Sequence, residues 1–196
     1  MKVALGLKAH SGWAALVAVG ISGREFHVLD RRRIELVKPG EVWAKQPYHA
    51  AEALEPSEAN RLVKQGIESA RQLALQEIRA ALERACDAGH TVAACAVLVG
   101  EAMPDWTVDE ILAVHFRMHK AEGVLFREAL LQAGTELGIK SLPVPEKLVT
   151  QDAAAVLGKP VGAVMQQLAT FGKALGSPWG KDQKDATLAA MIALRT

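Results

Sequence analysis

Apolar residues fill positions 2–8 and 13–20 almost without interruption, with Gly12 between the two runs. Two buried strands joined by a short polar turn are the expected outcome, with Lys8, His10 and Ser11 in the turn. Gly20, Ser22 and Gly23 mark a second turn. The stretch EFHVLDRRRIELV then alternates apolar and polar side chains, which predicts one bent strand or two short ones. Together these runs predict an antiparallel meander of three strands. KPGEVWAKQPYHAAEALEPS follows with three prolines, and its composition predicts an irregular, mobile connection over about 38–56.

From Ser57 the period changes. Val63, Ile67, Ala70, Ala74, Ile78, Leu82 and Ala85 recur at steps of three and four, which builds one buried stripe on a helix. Ser57 is the expected cap, the helix runs to about Asp87, and Gly89 is a stop signal. TVAACAVLVG (91–100) is nearly continuous in apolar residues and suits a central strand covered on both faces. Thr107 or Asp105 is expected to start a second long helix that ends near Leu137, before Gly138. IKSLPVP predicts a short strand, and helices are expected at about 147–157 and 161–172. GSPWG breaks the chain before a last helix, KDQKDATLAAMIALRT. A meander followed by α/β alternation predicts an α/β fold, in which one mixed sheet carries helices on both faces. The expected organisation is a single domain over 1–196.

Composition narrows the classes of function. Half of the 196 residues are hydrophobic but only 5% are aromatic, so Leu, Val, Ile and Ala must fill the core. A net charge of +1 argues against a generic polyanion binder. The charge is unevenly spread: residues 1–50 carry eight Lys/Arg against four acids, 51–119 carry six against eleven, and 120–196 carry nine against seven. A nucleic-acid surface would therefore use the two ends of the chain, including Arg31, Arg32 and Arg33. A solvated strand edge explains that triplet equally well. Cys86 and Cys95 form no CxxC pair, which predicts neither a zinc cluster nor a disulfide framework and points to a reduced, cytoplasmic setting. No apolar run approaches the ~18 residues of a membrane span, and the N-terminus does not read as a signal peptide. The absence of GxGxxG, P-loop and GxSxG patterns counts against dinucleotide, nucleoside-triphosphate and serine-hydrolase chemistry.

The order of elements matches the ribonuclease-H-like fold. MHKAEGVLFREALLQAGTELGIKSLPVPEKLVTQDAAAVLGKPVGAVMQQLATF, followed by KDQKDATLAAMIAL, resembles the RuvC Holliday-junction resolvase family. The resemblance lies in AEG within a long helix and in the strand carrying VPEKLV. A helix–turn–helix-like stretch then leads to a last helix that opens with two aspartates three apart. It spans most of the chain as a pattern rather than as close identity, and implies a distant relative. In that family acidic residues at converging element ends hold divalent metal. Two hard cations about 3.5–4 Å apart activate a water and stabilise the leaving oxygen, and magnesium takes oxygen ligands. Carried over by position, the resemblance implies metal ligation by Glu101, after the fourth strand, and by Asp182 and Asp185, on the last helix. The first acid of the family pattern is missing: GLKAHSG stands at its place, with Lys8 at the aspartate position.

Each candidate has a second reading. The Lys8 ammonium either lies among Glu101, Asp182 and Asp185 in place of a metal's charge, keeping them ionised from within ~4–6 Å, or it points to solvent. Asp182 and Asp185 also read as an N-cap and a first-turn acid, worth about 0.3–1 kcal/mol against the helix dipole. His115, His119 and Glu122 share one helix face at steps of four and three. Since H-F-R-M-H lacks the glutamate of HExxH, a polar seam at a helix–helix or dimer interface is the expectation, with a two-histidine zinc site as the alternative. Trp43, Tyr48 and His49 either stack on bases or pin their loop. Trp106 and Trp179 either wall the site or staple helix starts.

Three functions are consistent with this reading. The first is a RuvC-like nucleic-acid-associated protein with a degenerate metal site and weak or no nuclease activity. It would bind structured DNA or RNA through Arg31, Arg32, Arg33, Lys45, Lys147, Lys181 and Lys184. The second is an active hydrolase in which Glu101, Asp182 and Asp185 hold Mg or Mn, and His10 or His119 replaces the lost acid. The third is a non-catalytic protein that dimerises through the helix at 108–137.

Overall fold

The computed structural model describes residues 1–196. β1 (Lys2–His10), β2 (Trp13–Ser22) and β3 (Glu25–Glu35) form the meander. β4 (Thr91–Val99) and β5 (Lys140–Pro145) complete one five-stranded sheet in the order β3-β2-β1-β4-β5. The first three strands pair antiparallel, whereas β4 runs parallel to β1 and β5 parallel to β4. The expected mixed α/β sheet is thus present. β3 is one strand whose register shifts opposite Ala18 and Val19, which is the bend read from its alternation.

Two apolar layers sandwich the sheet. On one face α2 (Pro56–Asp87) and α4 (His115–Glu136) pack over Leu5, Leu7, Leu16 and Val97. On the other face α5 (Val149–Leu157), α6 (Val161–Leu175) and α7 (Lys181–Ala193) cover Ala4, Val17, Val19 and Ala96. β1 and β4 are buried on both faces, as their unbroken apolar runs require.

Several expected boundaries move, for local reasons. Pro56 occupies the first turn of α2 with Glu55 as N-cap, so Ser57 lies inside the helix rather than capping it. The connection at 38–56 is partly ordered: a 3-10 turn (Val42–Lys45) leads into a short helix, α1 (Pro47–Ala51). α1 lies close on α2 because Gly66 has no side chain there; a Cβ would sit 2.8 Å from Pro47 Cβ. The helix expected over 108–137 is two helices. α3 (Val108–Leu112) starts with a capping box between Thr107 and Glu110, and Val114 turns extended before α4. Arg117 Nη1 donates to the Glu110 carbonyl at 2.8 Å and satisfies the end of α3. α4 turns Met118, Ala121, Leu125, Phe126, Ala129, Leu130 and Ala133 inward, whereas Val114 and Phe116 at its start stay exposed.

Candidate functional site

The C-terminal ends of β1 and β5 and the first turns of α7 meet at one place. Lys8 is the seventh residue of β1 and lies opposite Ala15 of β2. It is therefore part of the strand rather than of the turn, and its side chain is only 8% exposed. Its Nζ lies 2.7 Å from Asp185 Oδ2, 3.0 Å from Glu146 Oε1 and 3.4 Å from Asp182 Oδ1. α7 reaches this close because Gly6 leaves its backbone bare: a Cβ on Gly6 would fall 1.8 Å from the Ala186 carbonyl oxygen. Two residues further along β1, Lys8 meets the polar side of the same helix.

Each carboxylate has a further basic side chain beside it. Lys181 pairs with Asp185 one helical turn away. Arg127 Nη2 lies 3.5 Å from Glu146 Oε2, and His10 Nε2 lies 3.0 Å from Asp182 Oδ2. His10 in turn stacks on Trp13, with ring centroids 4.3 Å apart. Three carboxylates thus face three permanent cations, Lys8, Lys181 and Arg127. Burial alone would lower the Lys8 pKa, but hydrogen bonds to Asp185 and Glu146 outweigh it and hold the ammonium well above the ordinary lysine value. Lys8 is charged at every physiological pH.

The sequence-derived candidates divide into those the fold gathers and those it separates. Lys8, Asp182 and Asp185 come together. Glu101 does not join them: it lies on the exposed loop after β4 and pairs with Lys147 at 2.9 Å, a hydrogen bond that lowers its pKa. The third acid at Lys8 is Glu146, from the 3-10 turn (Glu146–Leu148) after β5. Glu146 follows a parallel strand, as Glu101 does, but the resemblance singled out Glu101 alone. The N-cap of α7 is Gly180, whose N–H donates to Gln183 Oε1 at 2.9 Å, so neither aspartate caps the helix.

Beside the cluster opens a cleft of about 970 Å³. Arg127, Lys147, Lys181 and Lys184 line it together with Glu146 and Asp185, over a floor that includes Val161, Met165 and Leu168. Lys147, Lys181 and Lys184 were read from the sequence, whereas Arg127 was not. The β3 triplet is engaged elsewhere. The Arg31 guanidinium donates to the carbonyls of Leu175, Gly176 and Pro178 at 2.7 Å and of Ser177 at 3.1 Å. Arg32 pairs with Asp30; Arg33 pairs with Glu35 and lies 4.1 Å over the Trp13 ring. Lys45 is exposed on the 3-10 turn before α1.

The tryptophans act as staples. Trp179 Nε1 donates to the Leu168 carbonyl at 2.9 Å, and Trp106 packs beneath Arg117. Tyr48 is buried and Trp43 packs against the same core, which pins the connection rather than leaving it open for bases.

No family model matches the chain, and no curated protein matches it. Solved structures do. Thermus thermophilus RuvC in complex with a Holliday junction substrate superposes with a TM-score of 0.52 at 15% identity, covering 100% of this chain and 94% of that one. A further Thermus thermophilus RuvC structure gives 0.51 at 15% identity, over 98% and 93%. The chain has the RuvC fold. The match spans nearly the whole length of both chains, so it describes the entire fold rather than one part of it. The ribonuclease-H-like architecture expected from the element order is therefore present. The acidic cluster lies within this RuvC fold at the C-terminal ends of β1 and β5, the two strands that flank β4, on the side of the sheet where ligand sites form in open α/β folds. No helix is long and apolar enough to cross a membrane.

Proposed function

We propose that this chain is a RuvC-like nucleic-acid-associated protein that binds structured DNA or RNA without cutting it, with Lys8 standing in for a metal ion. The observation that carries this reading is the Lys8 ammonium held 2.7 Å from Asp185 and 3.0 Å from Glu146. Metal-assisted phosphodiester hydrolysis needs carboxylate oxygens free to ligate hard cations. Here the oxygens already hold an amine that stays protonated and cannot be a ligand. A dication would meet Lys8, Lys181 and Arg127 at the same place. The residues do not fit a Mg or Mn centre, and no hydrolytic step follows from them.

Binding is supported by the neighbouring cleft. Its four cations can contact phosphates, which supply most of the affinity in sequence-independent binding, and its apolar floor can receive sugar and base faces. The Thermus structure with a Holliday junction makes a four-way junction the natural first ligand to try. Arg127, Lys147, Lys181 and Lys184 are assigned the phosphate contacts, with Lys45 as an outlying one. Arg31, Arg32 and Arg33 are assigned a structural role.

The test combines two assays on the same protein. Fluorescence anisotropy with a four-way junction, a duplex and a single strand of equal length should show binding at low salt, strongest for the junction. Incubation of the same ligands with Mg²⁺ or Mn²⁺ should leave them intact. Metal-dependent cleavage lost in Asp185→Asn would establish the active-nuclease reading instead. Absence of binding to all three ligands at low salt would remove the nucleic-acid reading.

A further inference from the structure

A second cluster lies outside the acidic one. α1 contributes His49, and the first two turns of α4 contribute His115 and His119, so the three rings converge from two separate elements. One ring nitrogen from each lies within 4.8 Å of the other two. The ring centroids are 4.6–5.1 Å apart in tilted or edge arrangements, so the imidazoles do not stack. His115 Nε2 and His119 Nε2 are 3.1 Å apart. A tetrahedral ion with bonds of about 2.0–2.1 Å places neighbouring nitrogens about 3.3–3.4 Å apart; the His115–His119 pair is already near that spacing, and the His49 nitrogen lies within 4.8 Å of both.

The groups behind the rings set which nitrogen faces the centre. His49 Nδ1 lies 2.7 Å from Glu122 Oε2, and Glu122 Oε1 accepts from the His49 backbone N–H at 3.1 Å. The His115 Nδ1 faces Glu52 Oε1 at 3.6 Å. A carboxylate on Nδ1 keeps the proton there and leaves Nε2 with its lone pair, as in carboxylate–histidine–metal triads. Glu122 is buried, with its side chain 5% exposed. A carboxylate so placed needs a positive partner, which a metal behind His49 supplies. His115 and His119 are exposed, so an ion has a path in and a fourth position open to water.

We propose that His49, His115 and His119 bind one divalent transition-metal ion of the zinc class, with Glu122 and Glu52 orienting the ligand rings. Nitrogen ligands select Zn²⁺ and its neighbours over magnesium or calcium, so the site is chemically distinct from the Lys8 cluster and does not depend on the nucleic-acid reading. The ion clasps α1 to the start of α4 and adds a second anchor to the partly ordered connection that carries α1.

The test uses untagged protein stripped with EDTA and titrated with ZnCl₂ or CoCl₂. One ion per chain is expected, with a tetrahedral Co²⁺ absorption spectrum and a rise in Tm on Zn²⁺ addition. Both signals should vanish in His115→Ala/His119→Ala, which alters exposed side chains only and should leave the circular dichroism spectrum of the metal-free protein unchanged. Glu122→Gln should keep the stoichiometry and weaken affinity roughly 10- to 100-fold. Failure of the wild type to take up either metal would overturn the proposal. So would uptake unchanged in the double variant, whereas Mg²⁺ titration should give no signal in any of the proteins.

Discussion

Lys8 and Asp185 are 177 positions apart in the chain and 2.7 Å apart in space. One comes from the first strand and the other from the last helix, so the contact exists only when both ends of the fold are in place. It closes a charge-balanced cluster in which Glu146 and Asp182 share the same ammonium. The contact is therefore both a fold constraint and a chemical statement about the site.

Removing the ammonium should cost stability. Lys8→Met keeps the stem but leaves three carboxylates with two permanent cations. Breaking a buried pair by deleting one partner costs about 3–5 kcal/mol. The lower end, about 3 kcal/mol, is expected, because Glu146 and Asp182 keep 29% and 27% of their side-chain surface in water. Urea denaturation of both proteins at pH 7 measures the difference.

The same pair predicts a dependence on pH. The folded Lys8 pKa is raised above its ordinary value of 10.5. The stabilisation is then fully present below that value and falls as pH rises through the folded pKa, because the unfolded chain loses its proton first. The stability gap between wild type and Lys8→Met should stay constant from pH 7 to near 10 and narrow above it. A gap that already shrinks between pH 7 and 9 would show that Lys8 is not held by the carboxylates.

Metal affinity should return when the chemistry is reversed. Lys8→Asp places a fourth carboxylate among Glu146, Asp182 and Asp185, and like charges so close repel. The variant should be less stable than wild type in EDTA and recover in millimolar Mn²⁺, while the wild-type Tm is indifferent to Mn²⁺ at this site. Thermal melts with and without Mn²⁺, on protein carrying His115→Ala/His119→Ala in both backgrounds, isolate the effect from the histidine cluster.

The sheet and its covering helices were legible because each element's period matches its burial. The unbroken runs at 2–8 and 91–99 became strands buried on both faces, and the stripe from Val63 to Ile78 faces the core. Lys8, Asp182 and Asp185 were legible through one resemblance. Glu146 was not, because two acids follow parallel strands and only packing decides which of them turns inward. The part played by Arg31 was not legible for a related reason: composition records charge but not whether a guanidinium is occupied by backbone carbonyls. His49 was seen only as an aromatic in a loop, since its neighbours His115 and His119 are more than sixty positions away.

Arg31 separates structural from binding cations. Its guanidinium donates to four consecutive carbonyls, Leu175 to Pro178, and so holds the segment that aims α7 at Lys8. Charge-assisted hydrogen bonds contribute about 1.5–3 kcal/mol each in favourable cases, but most of these are exposed and share one side chain. Arg31→Ala should therefore lower stability by about 2 kcal/mol and open the 175–180 segment to proteolysis. At temperatures where the variant is folded, nucleic-acid affinity and its salt dependence should match wild type.

Cleft cations should behave in the opposite way. Lys184 makes no ion pair, and Lys147 pairs only with the exposed Glu101, so both ammonium groups can exchange their present surroundings for phosphate at small cost. Exposed pairs of this kind contribute little to stability because water and salt screen them, so Lys147→Ala and Lys184→Ala should leave the urea midpoint nearly unchanged. If each contacts one phosphate of a duplex arm, each substitution should reduce the slope of log K against log salt by about 0.9. The double variant should bind more weakly than either single variant and should weaken junction and duplex alike, because phosphate contacts carry no sequence information. Slopes measured across 50–200 mM salt decide the matter. A double variant with the wild-type slope would move the nucleic-acid surface away from this cleft, and Lys45, whose stem lies beside the β1–β2 turn at Gly12, would be the next residue to replace.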